Sequence, residues 1–185
     1  RLGGTFLYLP LSYTPQVIRR NLQTLCTALD VTYDPAEDEA RAQQALRHAK
    51  ALLGDTEIAI DYTATPAPMS LARCLIEHGL RVSRIYADSI AAGDLDDFRW
   101  LQEHAPDLSL YATVEVKLRV LPRRTERPML AIGQKAAYFT GTRHFVNIVE
   151  GGGMYGFDGI CRLCARIEEA FLTARDPRNY IQQKG

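Results

Sequence analysis

Residues 128–160 read PMLAIGQKAAYFTGTRHFVNIVEGGGMYGFDGI, and this stretch decides the fold of the chain. The pattern predicts an apolar strand ending at Gly133, a short helix from Gln134, a second strand ending at Val149, and a glycine-rich turn before a last helix. Each strand is followed by a helix, so both strand ends are expected at the same edge of a parallel sheet. Glycines allow close approach there, and helix N-termini favour negative charge. The sequence therefore predicts a site for an anionic ligand at this edge.

The same alternation of strands and helices continues through the rest of the chain. Five sheet strands are predicted, at Glu57–Asp61, Arg81–Tyr86, Leu108–Ala112, Pro128–Ile132 and His144–Val149. Apolar residues at helical spacing predict helices between and after them, the last over Tyr155–Ala174. This order predicts an α/β fold with a parallel sheet flanked by helices.

The N-terminal part predicts an arm outside that sheet. Thr5–Leu9 alternates like a short strand that Pro10 ends, and two helices follow, from Pro15 and over Pro35–Leu53. We therefore expect a strand-helix-helix arm over residues 1–54, an α/β domain over 55–175, and a polar tail over 176–185.

Composition limits the function classes. The 185 residues carry 22 Lys and Arg against 22 Asp and Glu, so the positive charge typical of a nucleic-acid-binding surface is missing. No apolar run reaches the roughly 20 residues that span a bilayer, and no signal peptide is evident. We expect a soluble, cytoplasmic protein without a nucleic-acid or membrane partner. The chain begins without Met, which suggests a fragment of a longer protein.

The cysteines and histidines predict no metal site. Cys161 and Cys164 have C-x-x-C spacing, but they fall within a predicted helix and no second pair accompanies them. A buried structural pair is the simpler interpretation, with a ligand or redox role as the alternative. His144, beside an apolar strand, is interpreted as a hydrogen-bonded structural histidine.

The candidate ligand-binding residues all follow strand ends. Lys135 is either a cation beside an anionic ligand or a solvated lysine, and the triple glycine is either a close-approach loop or a flexible turn. Asp61, Tyr62, Asp88 and Thr113 are expected at the same edge, whereas Tyr138, Phe139 and Tyr155 are assigned to packing. No catalytic residue is assigned. The candidate cofactor-binding residues are Thr63, Thr65, Ser89, Gly133, Gln134, Lys135, Glu150, Gly151, Gly152 and Gly153.

Several segments resemble the C-terminal part of a nitrogenase component 1 subunit, across nearly the whole chain. They are LGGTFLYLPL at 2–11, EIAID at 57–61, HGLRV at 78–82, APDL at 105–108, GQK at 133–135 and GMYGFDGI at 153–160. The last is the most specific, because catalytic alpha subunits carry a very similar motif just after their cofactor loop. This superfamily includes molybdenum-iron protein subunits, cofactor-assembly scaffolds and the reductases of chlorophyll and nickel-tetrapyrrole synthesis.

The resemblance implies a Rossmann-like domain of a nitrogenase-like oxidoreductase that binds a metal cluster or a tetrapyrrole-type ligand. The cluster, iron-sulfur or other, would be ligated largely outside this chain. A second component 1-type subunit, or a homodimer, and an ATP-dependent iron-sulfur reductase would be its partners. Lys135 matches the family lysine that lies against the cofactor and its organic acid.

The chain departs from the catalytic pattern at two places. No histidine stands near Ile148–Glu150, where catalytic subunits have a cofactor ligand, and Ala64, Thr65 and Ala67 replace a glycine pair and an arginine. These departures favour a divergent reductase subunit or a scaffold of cofactor biosynthesis over a dinitrogen-reducing subunit, and we expect the isolated fragment to be inactive. A non-redox module that binds a small molecule or a metal is the alternative from another class.

Overall fold

One parallel sheet of five strands forms the centre of the molecule. The computed structural model describes residues 6–120 and 127–180. Its strands are β1 (Glu57–Asp61), β2 (Arg81–Ala87), β3 (Ser109–Ala112), β4 (Met129–Ile132) and β5 (Phe145–Val146). They lie in the order β3-β2-β1-β4-β5, and every neighbouring pair is parallel. The predicted Rossmann-like α/β fold is confirmed.

Helices cover both faces of this sheet. They are α1 (Pro15–Leu29), α2 (Ala36–Leu53), α3 (Pro68–Glu77), α4 (Leu95–His104), α5 (Gln134–Thr140) and α6 (Gly156–Leu172). Short 3-10 helices occupy Ala92–Asp94, Val116–Arg119 and Pro177–Asn179. A proline lies in the first turn of α1 and of α3. Its fixed φ suits the helix, and an N–H group at this position would have no partner within the helix, so its absence costs nothing.

The side chains of β1 divide the core in two. Ile58 and Ile60 pack into the larger apolar cluster with residues of α2, α3 and α6, whereas Ala59 faces the smaller cluster under α5. Alternate strand residues point to opposite faces, so a strand buried on both sides carries apolar residues throughout. This arrangement places the end of β1, at Asp61, in the middle of the sheet edge.

The N-terminal segment differs from the sequence prediction. Phe6–Leu9 forms no strand, and Phe6 is 88% exposed; Thr5 lies outside the described residues. The prediction was wrong there because no strand in the described part of the chain pairs with these alternating residues. The segment is held instead at Tyr13, which is 1% exposed and donates its hydroxyl to Thr65 Oγ1 at 3.0 Å.

Two further differences concern β5 and the first helices. β5 is two residues long rather than six, because the chain after it turns toward the loop behind β1, where Glu150 N donates to Thr63 O at 2.7 Å. α2 packs closely against α6 and so contributes to the helix layer of the sheet. The division of the chain at residues 54 and 175 stays a prediction. No helix in the described part of the chain combines the length and the apolar character that crossing a membrane requires.

Candidate functional site

The carboxyl-terminal edge of the sheet carries the candidate site. β1 lies between β2 and β4 in the sheet. The loop after β1 and the loop after β4 are therefore neighbours in space, although β2 and β3 separate them in the sequence. In open parallel sheets this reversal of strand order leaves a crevice beyond the strand ends. The loops carrying Thr63 and Lys135 meet there.

A cleft of about 770 Å³ opens at this edge. Three of the candidate cofactor-binding residues, Thr63, Gln134 and Lys135, line it. Its other lining residues are Tyr62, Asp88, Thr113, Val114, Tyr138, Phe139 and Val149. Loops that are far apart in sequence therefore share one concave surface, as the sequence predicted for a parallel sheet.

Lys135 presents the ammonium group of this cleft. Its Nζ donates a hydrogen bond to the Tyr62 hydroxyl and lies 4.1 Å from the centroid of the Tyr62 ring. In residues 6–120 and 127–180, Lys135 takes part in no ion pair. Lys135 is half-buried, its hydrogen-bond partner is a phenol, and no carboxylate of the described residues pairs with it, so its ammonium group is available to an anionic ligand.

The buried Asp61 carboxylate positions the helix that carries Lys135. Asp61 is fully buried; its Oδ2 accepts from Ala136 N at 2.6 Å, and its Oδ1 accepts from Thr63 N at 2.8 Å and from Ala64 N at 3.2 Å. Burial raises the pKa of Asp61, and the hydrogen bonds from Thr63, Ala136 and Ala64 act against that rise. The first turn of α5 is therefore already occupied by a carboxyl group of the protein.

Gly133 makes this contact possible. Its φ of 109° is disallowed for most side chains, and a Cβ atom at this position would overlap the Asp61 carboxylate. Gly133 thus makes room for Asp61, whereas the sequence analysis expected it to make room for a ligand.

A second carboxylate caps α3 in the same way. Asp94, at the end of a 3-10 helix, accepts from Met69 N at 3.1 Å and from Ser70 N at 3.3 Å. Asp94 is 3% exposed, and burial raises its pKa to about 6, with the two backbone hydrogen bonds lowering it in part. Sequence reasoning missed this residue because the Asp94 side chain caps a helix that begins 26 residues earlier at Pro68.

The glycine turn is fastened to the loop after β1. Glu150 and Gly151 both have positive φ, and their N–H groups donate to Thr63 O at 2.7 Å and to Ala64 O at 2.6 Å. These two amides are therefore not available to a ligand. The space beside Gly151 is taken by the ring of Tyr155, while Gly152 and Gly153 lie exposed on the outer side of the turn.

A smaller cleft of about 470 Å³ adjoins the first and shares Tyr62 and Asp88 with it. The remaining candidates from the sequence that contact a cleft, Thr65, Ser89 and Glu150, line this second one together with Asp94. The structure therefore divides the candidates between two adjoining clefts, one with the Lys135 ammonium and one with carboxylates.

Aromatic rings form the wall of the larger cleft. The Phe139 ring stacks on Tyr86 with centroids 4.9 Å apart and meets Tyr138 edge to face at 5.6 Å, and Tyr86 stacks in turn on Tyr111. Tyr138 and Phe139 therefore have two roles, since both pack and both line the cleft. Their spacing in the sequence indicates only the packing role, because a helical pattern does not distinguish the wall of a cleft from a core.

The metal-binding residue types are dispersed in the described part of the chain, where no three His, Cys, Asp or Glu side chains group around a possible ion. Cys74 and Cys164 are buried, and burial raises the pKa of each thiol to about 12. His144 lines neither of the two clefts at the carboxyl-terminal edge, and its Nδ1 is 3.0 Å from Ala170 O. This hydrogen bond confirms the structural interpretation of His144.

Comparison with known proteins identifies the fold. No protein-family model matches the chain, and no curated protein matches it in sequence. A solved structure described as "Nitrogenase Cp1 at pH 6.5" matches 88% of this chain with a TM-score of 0.59 and 15% sequence identity. The match spans 38% of that protein's chain. At this identity the likeness establishes the fold alone: the chain has a nitrogenase-like α/β fold.

Proposed function

We propose that this chain is a ligand-binding part of a nitrogenase-like component 1 subunit, and that the cleft at Lys135 binds an anionic group of its cofactor or substrate. One observation carries the proposal: a half-buried ammonium group without an ion-pair partner in the described chain faces a large cleft at the carboxyl-terminal edge of the sheet. The fold likeness to a nitrogenase chain supports the assignment to this class.

The residues of this chain do not fit the role of ligands to a metal cluster. A cluster needs several thiolate, imidazole or carboxylate donors that converge on one point, and no such group of three exists in the described residues. The two most buried thiols, Cys74 and Cys164, hold their protons because burial raises their pKa to about 12. Any cluster would be ligated by other parts of the full protein, and this chain would shape one wall of its cavity.

The chemistry that the chain itself supplies is electrostatic binding. Lys135 offers a charge-assisted hydrogen bond to an anionic oxygen, and the Tyr62 hydroxyl fixes the direction of the ammonium group. Asp61 holds the first turn of α5 in place through Ala136 N, so the lysine is presented from a fixed helix end. Binding in a pre-arranged site costs less conformational entropy than ordering a mobile lysine on a loop.

The partners follow from the same proposal. A nitrogenase-like subunit would pair with a second component 1-type subunit, or with its own copy, and would receive electrons from an ATP-dependent iron-sulfur reductase. A cofactor-assembly scaffold would use the same cleft to hold its cargo without reducing a substrate. A non-redox binding module would need neither iron nor a reductase.

Anaerobic purification of the full gene product separates these classes. We expect bound iron and visible absorbance in the wild-type protein. Because a charge-assisted hydrogen bond is worth about 1.5–3 kcal/mol, Lys135→Gln should lower the retention of the chromophore by roughly 10- to 100-fold. Lys117→Gln is the matched control, since Lys117 is exposed and does not line the cleft.

Two results would count against the proposal. A colourless protein without iron would remove the nitrogenase-like assignment and favour the non-redox module. Equal retention by the Lys135→Gln and Lys117→Gln proteins, with unchanged thermal unfolding, would remove Lys135 from the binding site.

A further inference from the structure

The two clefts at the carboxyl-terminal edge of the sheet are lined by more carboxylates than ammonium groups among the described residues. Among the described residues that line the two clefts, Lys135 is the one ammonium group, and Asp88, Asp94 and Glu150 are the carboxylates. Asp88 lines both clefts, so it lies near any ligand that extends from one into the other. A ligand with one negative charge finds its counter-charge at Lys135, whereas a second negative charge meets carboxylates.

Two of the helix ends at this edge, those of α3 and α5, are already occupied by side chains of the protein. The backbone amides in the first turn of a helix bind anions because they are free donors at the positive end of the helix dipole. In this chain Ala136 N of α5 donates to Asp61, and Met69 N and Ser70 N of α3 donate to Asp94. A phosphate group would have to displace a buried carboxylate of the protein to reach either end.

The larger cleft suits a flat apolar body. Aromatic rings of Tyr62, Tyr138 and Phe139 line it, and Val114 and Val149 complete its apolar surface. The Phe139 ring is held by stacking on Tyr86, so this wall is fixed before a ligand binds. Aromatic walls favour conjugated rings, which stack on them or meet them edge to face.

The Thr113 side chain also lines this cleft. Its hydroxyl oxygen is buried and makes no hydrogen bond to the described residues. A buried hydroxyl without a partner costs about 1–3 kcal/mol. Thr113 follows β3 and Lys135 follows β4, so loops after two different strands contribute polar side chains to the lining of the cleft.

From the cavity, its charges and its aromatic wall, we infer that the cleft is selective for a conjugated ring system that carries a single carboxylate, and that it excludes phosphorylated and polycarboxylate ligands. The inference rests on the proposed anion-binding function and narrows it to one chemical class. Lys135 holds the carboxylate, the ring lies against Tyr138 and Phe139, and Asp88 repels additional negative charge.

Isothermal titration of the purified protein with four probes tests this selectivity: 2-naphthoate, its neutral analogue 2-naphthalenemethanol, citrate and inorganic pyrophosphate. We expect 2-naphthoate to bind at least about tenfold more tightly than the other three. Lys135→Gln should remove about tenfold or more of the affinity for 2-naphthoate and leave 2-naphthalenemethanol unchanged. Lys117→Gln should behave as the wild type.

Two variants examine the ring and the charge separately. Tyr138→Ala should lower the affinity for 2-naphthoate by about two- to tenfold, because an aromatic contact contributes about 0.5–1.5 kcal/mol. Asp88→Asn should raise the affinity for citrate by a few fold without changing that for 2-naphthoate to the same extent. Asp88 is exposed, so this variant is expected to fold as the wild type does.

The outcomes distinguish this inference from the function on which it rests. Citrate or pyrophosphate binding as tightly as 2-naphthoate, and weakened by Lys135→Gln, would overturn the selectivity while keeping the anion site. Loss of 2-naphthoate binding in Lys135→Gln with no effect of Tyr138→Ala would overturn the aromatic contact. If Lys135→Gln leaves the affinity for every anionic probe unchanged, both the inference and the anion site are refuted.

Discussion

Replacement of Asp61 should strongly destabilise the fold. In Asp61→Ala the N–H groups of Thr63 and Ala136 lose their acceptor, and Ala64 N keeps only its bond to the Asp61 carbonyl at 3.1 Å. An unsatisfied buried donor costs about 1–3 kcal/mol. The variant also regains the free energy spent on burying a carboxylate, which offsets part of that cost.

The net loss is about 3–5 kcal/mol in the free energy of unfolding, the range for removing one partner of a buried charged network. Asp61→Asn should lose less, about 1–3 kcal/mol, because its amide oxygen still accepts on one side while its NH2 group faces the Ala136 N–H. Urea unfolding followed by far-UV circular dichroism measures both values. Asp55→Ala is the control, since Asp55 is exposed in the turn before β1 and should change stability by about 0.5 kcal/mol or less.

A loss below about 1 kcal/mol in Asp61→Ala, close to that of Asp55→Ala, would refute the view that Asp61 holds the first turn of α5. No loss in Asp61→Asn, which keeps the volume of the side chain, beside a large loss in Asp61→Ala would show that the carboxylate acts through its volume alone. In either case the fixed presentation of Lys135 would need another cause.

Two further predictions concern the residues that surround these caps. Gly133→Ala should destabilise the protein by about 3 kcal/mol or more in the same urea assay. The reason is that the new Cβ overlaps Asp61 and that the φ of 109° is strained for alanine. A loss under about 1 kcal/mol would contradict this prediction. Burial raises the pKa of Asp94 to about 6, so the folded state holds a proton that the unfolded state releases between about pH 4 and 6. The stability that this group contributes is therefore lost as pH rises through that interval. Asp94→Asn should remove up to about 3 kcal/mol of this pH dependence. Parallel curves of stability against pH for the wild-type and Asp94→Asn proteins would contradict the prediction.

The ends of β1 to β4 were predictable to within one residue, because strand periodicity and glycine placement are local. The positions of Thr63, Lys135 and Glu150 after β1, β4 and β5 followed from the pattern alone, and they lie at one edge as expected. The N-terminal strand was not predictable in the same way, since Phe6–Leu9 alternates like a strand but lacks a partner strand in the fold. Alternation indicates that a segment can pair, and only the surrounding sheet decides whether it does.

The sequence by itself determined the class of fold, the order of strands and helices, and the lysine at the end of β4, because these depend on residues within a few positions of one another. Only the tertiary structure decided which groups occupy the helix ends and the glycine spaces. Asp61 accepts from Ala136 across 75 residues, and Tyr62 accepts from Lys135 across 73. Such contacts depend on the placing of β1 beside β4, which no local pattern specifies. The side chains of Asp61 and Tyr155 therefore occupy the spaces beside Gly133 and Gly151 where the sequence predicted a ligand.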